Sequence, residues 1–163
     1  MSDGEEYRVR PIRADDAERE RRFIVALRPE SRFRRLMYTL REPSAQFIAQ
    51  LVNVDHHRNM ALVAVQGREV DERFIAVARY AADASGEDCE FAVAVADEWQ
   101  CRGIGTLLTR LLFEYAAHEG FRSIYGNILA SNHDMLELAG SLDLQVEMPL
   151  AGENTVRASR RLN

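Results

Sequence analysis

The feature that most constrains the fold is a change in the period of the apolar residues between positions 91 and 119. Residues 91–96 read FAVAVA, and a run without polar alternation is typical of a central strand covered on both faces. From position 103 to 119 the apolar residues repeat at helical spacing, at Ile104, Leu107, Leu108, Leu111, Leu112, Tyr115 and Ala116. The chain must therefore pass from a buried strand into an amphipathic helix through one short loop.

The loop between that strand and that helix contains Gly103 and Gly105, preceded by Arg102. A strand that turns tightly into a helix directs free backbone N–H groups and the positive end of the helix dipole at one point. Glycines let the backbone approach a ligand closely. The pattern indicates a site for an anion, most often a phosphate, although a tight turn that needs only small residues would have the same pattern.

The other periodicities predict one mixed α/β domain over residues 1–163. Helical patterns begin near residues 15, 33 and 43 and cover 103–119 and 132–142. Strand patterns occupy 7–13, 60–65, 73–80, 90–96, 123–129, 144–150 and 155–161. Short turns separate the second, third and fourth strands, which predicts an antiparallel meander. The predicted order is β-α-α-β-β-β-α-β-α-β-β, with helices flanking a mostly antiparallel central sheet.

The chain contains no lysine, because all 21 basic residues are arginine. A Walker-type phosphate loop, a protein kinase and a pyridoxal or Schiff-base enzyme each require a lysine. These classes of chemistry are therefore excluded. An arginine-rich codon usage explains the composition itself.

Charge and composition predict a soluble, cytoplasmic protein. The net charge is −5, which gives no reason to expect binding to nucleic acid or to an anionic membrane. The first residues, MSDGEEYRVR, are polar where a signal peptide needs an apolar core, and no apolar run approaches the length of a bilayer span. The two cysteines, Cys89 and Cys101, do not make a disulfide framework.

The loop has the pattern Gln100-x-x-Gly103-x-Gly105 after a strand and before a helix. The dinucleotide fingerprint would need a third glycine at position 108, where the chain has Leu108. The pattern instead closely resembles the pyrophosphate loop of the GNAT superfamily of acyl-CoA-dependent N-acyltransferases, and the order of elements is similar throughout. The segments VRPIRADDAERERRF, PESRFRRLMYTL and VDHHRNMALVAV resemble the acetyltransferase domain of bacterial protein lysine acetyltransferases.

This resemblance implies acetyl-CoA as the co-substrate, no metal, and a set of cofactor-binding residues. The backbone of Val93, Ala94 and Val95 would pair with the pantetheine arm. The main-chain N–H groups of the loop, with the Arg102 side chain, would hold the pyrophosphate. The loop residues are Gln100, Cys101, Arg102, Gly103, Ile104, Gly105 and Thr106, and Asn132 would steady the cofactor from the next helix.

The resemblance also implies a general base, because several family members have a glutamate at the position of Glu90. Glu90 is the one carboxylate at the start of the apolar strand, ten residues before Gln100. The alternative is that Glu90 only ends a hairpin, with its side chain in water. The acceptor would be a protein lysine or a small-molecule amine, and the enzyme a monomer or homodimer.

One departure from the family leaves the general acid unassigned. Many members have a tyrosine seven residues after the asparagine, where this chain has Ala139. Tyr38, Tyr80 and Tyr125 are unranked candidates for the acid, and water is another. The departure also keeps open a different class of function, a regulatory module that binds acyl-CoA without turning it over.

The remaining motifs predict no metal site. His56 and His57 are adjacent and lack further ligands at useful spacing, so we expect a solvated or substrate-facing loop. His118 and His133 are expected on the surface. The cluster of Arg32, Arg34 and Arg35 is interpreted as a solvated helix face, with recognition of an acidic acceptor surface as the alternative.

Overall fold

The computed structural model describes residues 6–27, 43–148 and 151–162. Its strands are β1 (Arg8–Pro11), β2 (Asn59–Gln66), β3 (Arg73–Ala82), β4 (Asp88–Val95), β5 (Ser123–Leu129), β6 (Gln145–Val146) and β7 (Thr155–Arg161). Its helices are α1 (Ala17–Ala26), α2 (Ala45–Val52), α3 (Ile104–His118) and α4 (His133–Ser141). The predicted helix near residue 33 lies outside the described residues. None of the described helices is long and apolar enough to cross a membrane.

The described strands form one sheet in the order β1-β2-β3-β4-β5-β7-β6. Neighbouring strands are antiparallel except β4 and β5, which run parallel. The predicted meander of β2, β3 and β4 and the mostly antiparallel mixed sheet are therefore confirmed. The β4–β5 connection contains α3, as a parallel connection requires.

Helices cover the sheet on both faces. Phe23 and Ile24 of α1 and Ile48 of α2 belong to a buried cluster with inward residues of β2 and β3. Leu108 and Leu112 of α3 belong to a second cluster on the opposite face of the sheet. Because apolar side chains alternate between the two clusters along β2 and β3, these central strands are buried on both sides.

The strand FAVAVA differs from its prediction, because it is not covered on both faces. Phe91 is buried, but residues 92–96 are only half-buried. The cause is that β5 pairs with β4 only at its beginning and then leaves it. The closing strand predicted over 144–150 is likewise shorter, since only Gln145–Val146 is a strand and residues 149 and 150 are outside the described part.

A buried carboxylate joins the start of α1 to the sheet. The Asp16 carboxylate accepts hydrogen bonds from Arg10 Nη1 at 2.8 Å and Nη2 at 2.9 Å, from Arg13 N–H at 2.7 Å and from Arg19 Nη1 at 3.0 Å. The sequence predicted a helix beginning at Asp15 and Asp16 with an Asp cap. Asp16 is the N-cap residue of α1, but its side chain makes no capping hydrogen bond to that helix. It accepts instead from the backbone N–H of Arg13, three residues earlier in the chain.

We expect Asp16→Asn to destabilise the fold in a pH-dependent way. Burial alone raises the pKa of Asp16, but the hydrogen bonds from Arg10, Arg13 and Arg19 outweigh it, so the folded-state pKa lies below the ordinary 3.8. The contribution of Asp16 is therefore complete above the unfolded-state pKa and is lost as pH falls through the folded-state pKa. Removing one partner of such a buried pair costs about 3 kcal/mol.

Denaturant unfolding at pH 7 and in acid measures this difference. Asp15→Asn is the control, because Asp15 is exposed and its one ion pair within the described residues is with the half-exposed Arg13; its effect should stay within about 0.5 kcal/mol. A loss for Asp16→Asn that persisted undiminished well below pH 3 would contradict the electrostatic account.

Candidate active site in the cleft between two strands

A cleft opens where β4 and β5 separate. Their parallel pairing covers Asp88–Ser123, Cys89–Ile124 and Glu90–Tyr125 and ends there. Beyond this point a cavity of about 620 Å³ lies between the two strands, the loop before α3 and the start of α4. The residues that line it include most of the predicted site: Glu90, Val93, Ala94, Val95, Gln100, Cys101, Gly103, Ile104, Gly105, Thr106 and Asn132.

The free edge of β4 is one wall of the cleft. Through Val95 this strand pairs with β3 on its other edge, whereas beyond Glu90 its second edge has no strand partner among the described residues. Backbone N–H and C=O groups that alternate along this edge are therefore available to a ligand. An extended ligand arm can bind there as an added strand would, which fits the prediction for Val93 to Val95.

Phe91 and Gly126 fill the point where the strands separate. A Cβ atom at Gly126 would lie 2.8 Å from Phe91 Cε1, so the glycine is needed to admit the ring. The ring of Phe91 also packs edge-on against Phe113 of α3, with centroids 5.2 Å apart. This packing holds the two strands at the base of the cleft.

The loop before α3 presents unpaired backbone N–H groups to the cleft. Gly103 is the N-cap and has a φ of +85°. The first helical hydrogen bond is donated by Leu107 N–H to Gly103 O at 3.1 Å. The N–H groups of Ile104, Gly105 and Thr106 precede it and find no acceptor within the helix, so the loop has the donors and the dipole that a pyrophosphate needs.

The two glycines of this loop have different roles. A Cβ at Gly103 would meet no atom within 4 Å, so its positive φ and the open space in front of it are what require glycine. A Cβ at Gly105 would lie 3.3 Å from both Leu138 Cδ1 and Val95 Cγ2. Gly105 thus lets α3 approach β4 and α4, while Gly103 keeps the approach to the N–H groups clear.

Two side chains of the loop make internal contacts. Gln100 donates from Nε2 to Val95 O at 3.1 Å and to Asp97 Oδ1 at 3.3 Å, so it braces the turn. The Arg102 guanidinium lies over the Trp99 ring at 4.8 Å, and Arg102 is absent from the described residues that line the cleft. A contact between Arg102 and the pyrophosphate stays a prediction.

Asn132 caps α4 at the far side of the cleft. Its Oδ1 accepts from Met135 N–H at 3.2 Å, which fixes the side chain at the helix start. Within the described part of the chain its Nδ2 group donates to no partner, and the residue lines the cleft. Asn132 can therefore donate to a cofactor as the sequence predicted.

Glu90 lines the cleft at its closed end, at the last paired position between β4 and β5. Its side chain is exposed, and Oε1 accepts from Asn127 Nδ2 of β5 at 3.1 Å. Asn127 thus links the carboxylate to the strand across the cleft. No motif in the sequence marks Asn127, because only the register of β5 brings it next to Glu90.

The two described tyrosine candidates for a general acid are both buried and differ in their hydrogen-bond partners. Tyr80 is buried, donates its O–H to His57 O at 2.9 Å, and has its pKa raised by burial. Tyr125 donates to Asp83 Oδ2 at 3.3 Å and is the register neighbour of Glu90. Partial burial, and then the charges of Asp83 and Glu90, raise the pKa of Tyr125, which keeps it protonated at neutral pH. Tyr38 lies outside the described residues.

The other sequence candidates do not form a second site. His57 Nδ1 is 3.3 Å from Glu119 Oε1 and His118 and His133 are exposed. No group of three or more His, Cys, Asp or Glu residues that could hold a metal ion occurs in the ranges 6–27, 43–148 and 151–162. The Arg32, Arg34 and Arg35 cluster is outside those ranges, and Ala139 is buried in the core.

Comparison with known proteins identifies the family. The profile of the Acetyltransferase (GNAT) family matches residues 16–142. An acetyltransferase of Pseudomonas aeruginosa is 36% identical over 142 residues, which cover 87% of this chain and 76% of that protein. Acetyltransferase Pat of Mycolicibacterium smegmatis is 28% identical over 143 residues, 85% of this chain but only 41% of that longer protein.

Solved structures give the same result. The GNAT domain of S. lividans PAT has a TM-score of 0.85 and 26% identity, with 95% of this chain and 90% of that chain covered. A Salmonella typhimurium protein solved with its cofactor acetyl-CoA has a TM-score of 0.73 at 16% identity, covering 96% and 94%. The second similarity shows the fold alone.

The fold and the cleft together define an acyl-CoA-dependent acyltransferase. With the family match, the chain belongs to the acetyltransferase (GNAT) family, whose enzymes use acetyl-CoA as co-substrate. The resemblance seen in the sequence is confirmed. The cleft fits this co-substrate, because it has unpaired N–H groups at a helix start and a free strand edge.

We expect Gly103→Val to abolish CoA binding in a folded protein. The new side chain would fill the open space in front of the N–H groups. Its strain at positive φ costs about 1–3 kcal/mol. Gly120→Val is the matched control, because Gly120 has a φ of +90° and nothing within 4 Å of its Cβ, at the other end of α3. Calorimetry should show that CoA binds to the control and not to Gly103→Val. Equal affinity of the two variants for CoA would show that the loop does not bind the cofactor.

We also expect CoA to protect Cys101 from thiol reagents. Cys101 is exposed and lines the cleft, whereas Cys89 is buried and its pKa is raised to about 12 by burial. Mass spectrometry of protein treated briefly with a maleimide should find Cys101 labelled, more slowly with CoA present. Cys101→Ser removes the rapid labelling and is the control. Labelling of Cys101 at the same rate with and without CoA would place it outside the cofactor site.

Proposed function

We propose that this protein is an N-acetyltransferase that transfers the acetyl group of acetyl-CoA directly to a primary amine of a protein lysine. The observation that carries the proposal is the position of Glu90. It is an accessible carboxylate at the point where β4 and β5 separate. The same cleft holds the N–H groups of the loop before α3.

The length of β4 indicates where each part of acetyl-CoA would lie. Glu90 and Val95 are five residues apart, or about 16 Å of strand. The pyrophosphate is assigned to the Val95 end, beside Gly103 and Thr106, and the pantetheine arm to the free edge of β4. The thioester end then reaches the neighbourhood of Glu90, where an acceptor amine can enter from solvent.

Glu90 has a defined task in this arrangement. A lysine amine has a pKa near 10.4, so its deprotonation at pH 7 costs about 4 to 5 kcal/mol. Glu90 accepts this proton, directly or through water. The neutral nitrogen then forms its bond to the acetyl carbon while the carbon–sulfur bond breaks, and the nitrogen loses its second proton to water as the amide forms.

The departing sulfur leaves as a thiolate and takes a proton from water or from Tyr125. Acetyl-CoA supplies the activated acyl group, and a thiol pKa of about 8.5 makes the thiolate an adequate leaving group. Backbone N–H groups on the β4 edge can stabilise the oxygen that becomes negative in the transition state. A tyrosine at position 139 is therefore not required, which is consistent with the buried Ala139.

The choice of a protein lysine is supported by the resemblance of three sequence segments to bacterial protein lysine acetyltransferases and by the likeness to two proteins named Pat. A small-molecule amine is the alternative acceptor. Ala139 also supports a second candidate function, an acyl-CoA-sensing module. A thiol-release assay with lysine peptides, folded proteins and small amines separates these, because a sensor binds acetyl-CoA but releases no CoA.

We expect Glu90→Gln to lower kcat by about 10²–10³-fold while the affinity for acetyl-CoA stays the same. Glu137→Gln is the control, because it removes an exposed carboxylate that lines the same cleft from α4. Initial rates over a range of pH, with calorimetry of acetyl-CoA binding, measure both quantities. An unchanged rate for Glu90→Gln at every pH would rule out Glu90 as the base.

A further inference from the structure

A fixed arginine lies beside Glu90 on the open face of the sheet. The guanidinium carbon of Arg157 is 3.7 Å from the centroid of the Tyr125 ring. The Tyr125 O–H donates to Asp83 Oδ2, which anchors the ring. Stacking on an aromatic ring holds a guanidinium in place and leaves its N–H groups free at the edges.

Arg157 has no acidic partner among the described residues, unlike the two arginines of the sheet that are held by buried carboxylates. Arg10 pairs with Asp16 and Arg79 with Glu20. In contrast, the guanidinium of Arg157 makes neither an ion pair nor a hydrogen bond to any residue that the structure describes. Its five N–H donors are therefore available to an external anion.

The register of three strands places Arg157 next to the proposed site of chemistry. Asn127 pairs directly with Arg157 across β5 and β7, and it donates to Glu90. Tyr125, under the guanidinium, is the register neighbour of Glu90. The backbones of Glu90 and Arg157 are two strand spacings apart with a two-residue offset, about 12 Å. The guanidinium, however, reaches back over Tyr125, which is one strand spacing, about 5 Å, from the strand of Glu90. Glu90, Asn127 and Arg157 are all exposed, so the row is open to solvent.

The position of Arg157 excludes a role in holding the phosphates of CoA. Those phosphates are assigned to Gly103 and its neighbours, at the opposite end of the cleft. Arg157 instead lies at the Glu90 end, where the proposed function lets the acceptor enter from solvent. An acceptor amine carries a positive charge until it loses its proton, which attracts it to Glu90 and repels it from Arg157. The row therefore favours an acceptor with separated charges, positive at Glu90 and negative at Arg157.

We propose that Arg157 is a specificity-determining residue that binds a carboxylate of the acceptor, about 5–10 Å from the amine that is acetylated. This inference rests on the proposed function. In a protein acceptor the carboxylate belongs to an acidic side chain near the target lysine. In a small acceptor it belongs to the same molecule as the amine.

Matched acceptor pairs test the proposal. One arm uses lysine peptides that differ only by Glu or Gln at each position from two before to two after the lysine. The other uses Nα-acetyl-lysine and its amide. At low salt the wild type should show a KM about three- to tenfold lower for the carboxylate member of at least one pair. Salt should reduce the difference, and kcat should change little.

Arg157→Gln should abolish this discrimination, and Arg157→Glu should reverse it. Arg161→Gln is the matched control, because Arg161 is exposed on the same face of β7, about 13 Å along the strand. It should discriminate as the wild type does. The arm in which the preference occurs identifies the source of the carboxylate.

Two results would overturn the assignment. One is a wild type that acetylates amines with equal KM for both members of every pair; this leaves the proposed function intact. The other is a preference that survives in Arg157→Gln. If no acceptor is acetylated, the proposed function is wrong independently of Arg157. Calorimetry with the CoA-bound protein then compares the affinities for the two members of each acceptor pair. Equal affinities would contradict the proposed role of Arg157.

Discussion

The shape of the candidate site depends on how short the parallel pairing between β4 and β5 is. Parallel strands need a long connection, and α3 supplies it here, so the start of α3 must lie next to the end of β4. The parallel pairing ends at Glu90 and Tyr125. Because the two strands separate there, the free edge of β4 and the N-terminus of α3 face the same space. The candidate cleft follows from the sheet topology, and the packing of Phe91 against Gly126 keeps its base closed.

Much of this could be predicted from the sequence, because it depends on local patterns. The bounds of β5 and β7 agree with the predicted segments, and the helix after the glycine loop begins one residue later than predicted. The partial exposure of residues 92–96 could not be predicted. An apolar sequence has the same pattern whether a neighbouring element or a bound ligand covers that face of the strand. The second predicted helix, with Tyr38 and the Arg32 cluster, stays untested.

The part of the site that sequence reasoning missed comes from strand register. Asn127 and Arg157 lie far from Glu90 in the chain and carry no motif, and only the pairing of β5 with β4 and β7 brings the three together. The weak signal was the alternation in β7, where Arg157, Ser159 and Arg161 share one face while Val156 and Ala158 are buried. That pattern predicts a polar sheet face but does not say what the polar residues approach.

The absence of lysine gives this polar face a chemical consequence. The chain has 21 arginines and no side-chain amine, so none of its own side chains can compete as a lysine acceptor at Glu90. Near the proposed base Glu90, an arginine stays charged at every working pH and has no neutral amine to be acetylated, because a guanidinium is not deprotonated in proteins. A lysine at position 157 could not bind a carboxylate through two parallel hydrogen bonds as a guanidinium does. It would also carry an amine that could itself be acetylated. Under the proposed function, arginine therefore places a permanent cation near Glu90 that cannot itself become an acceptor.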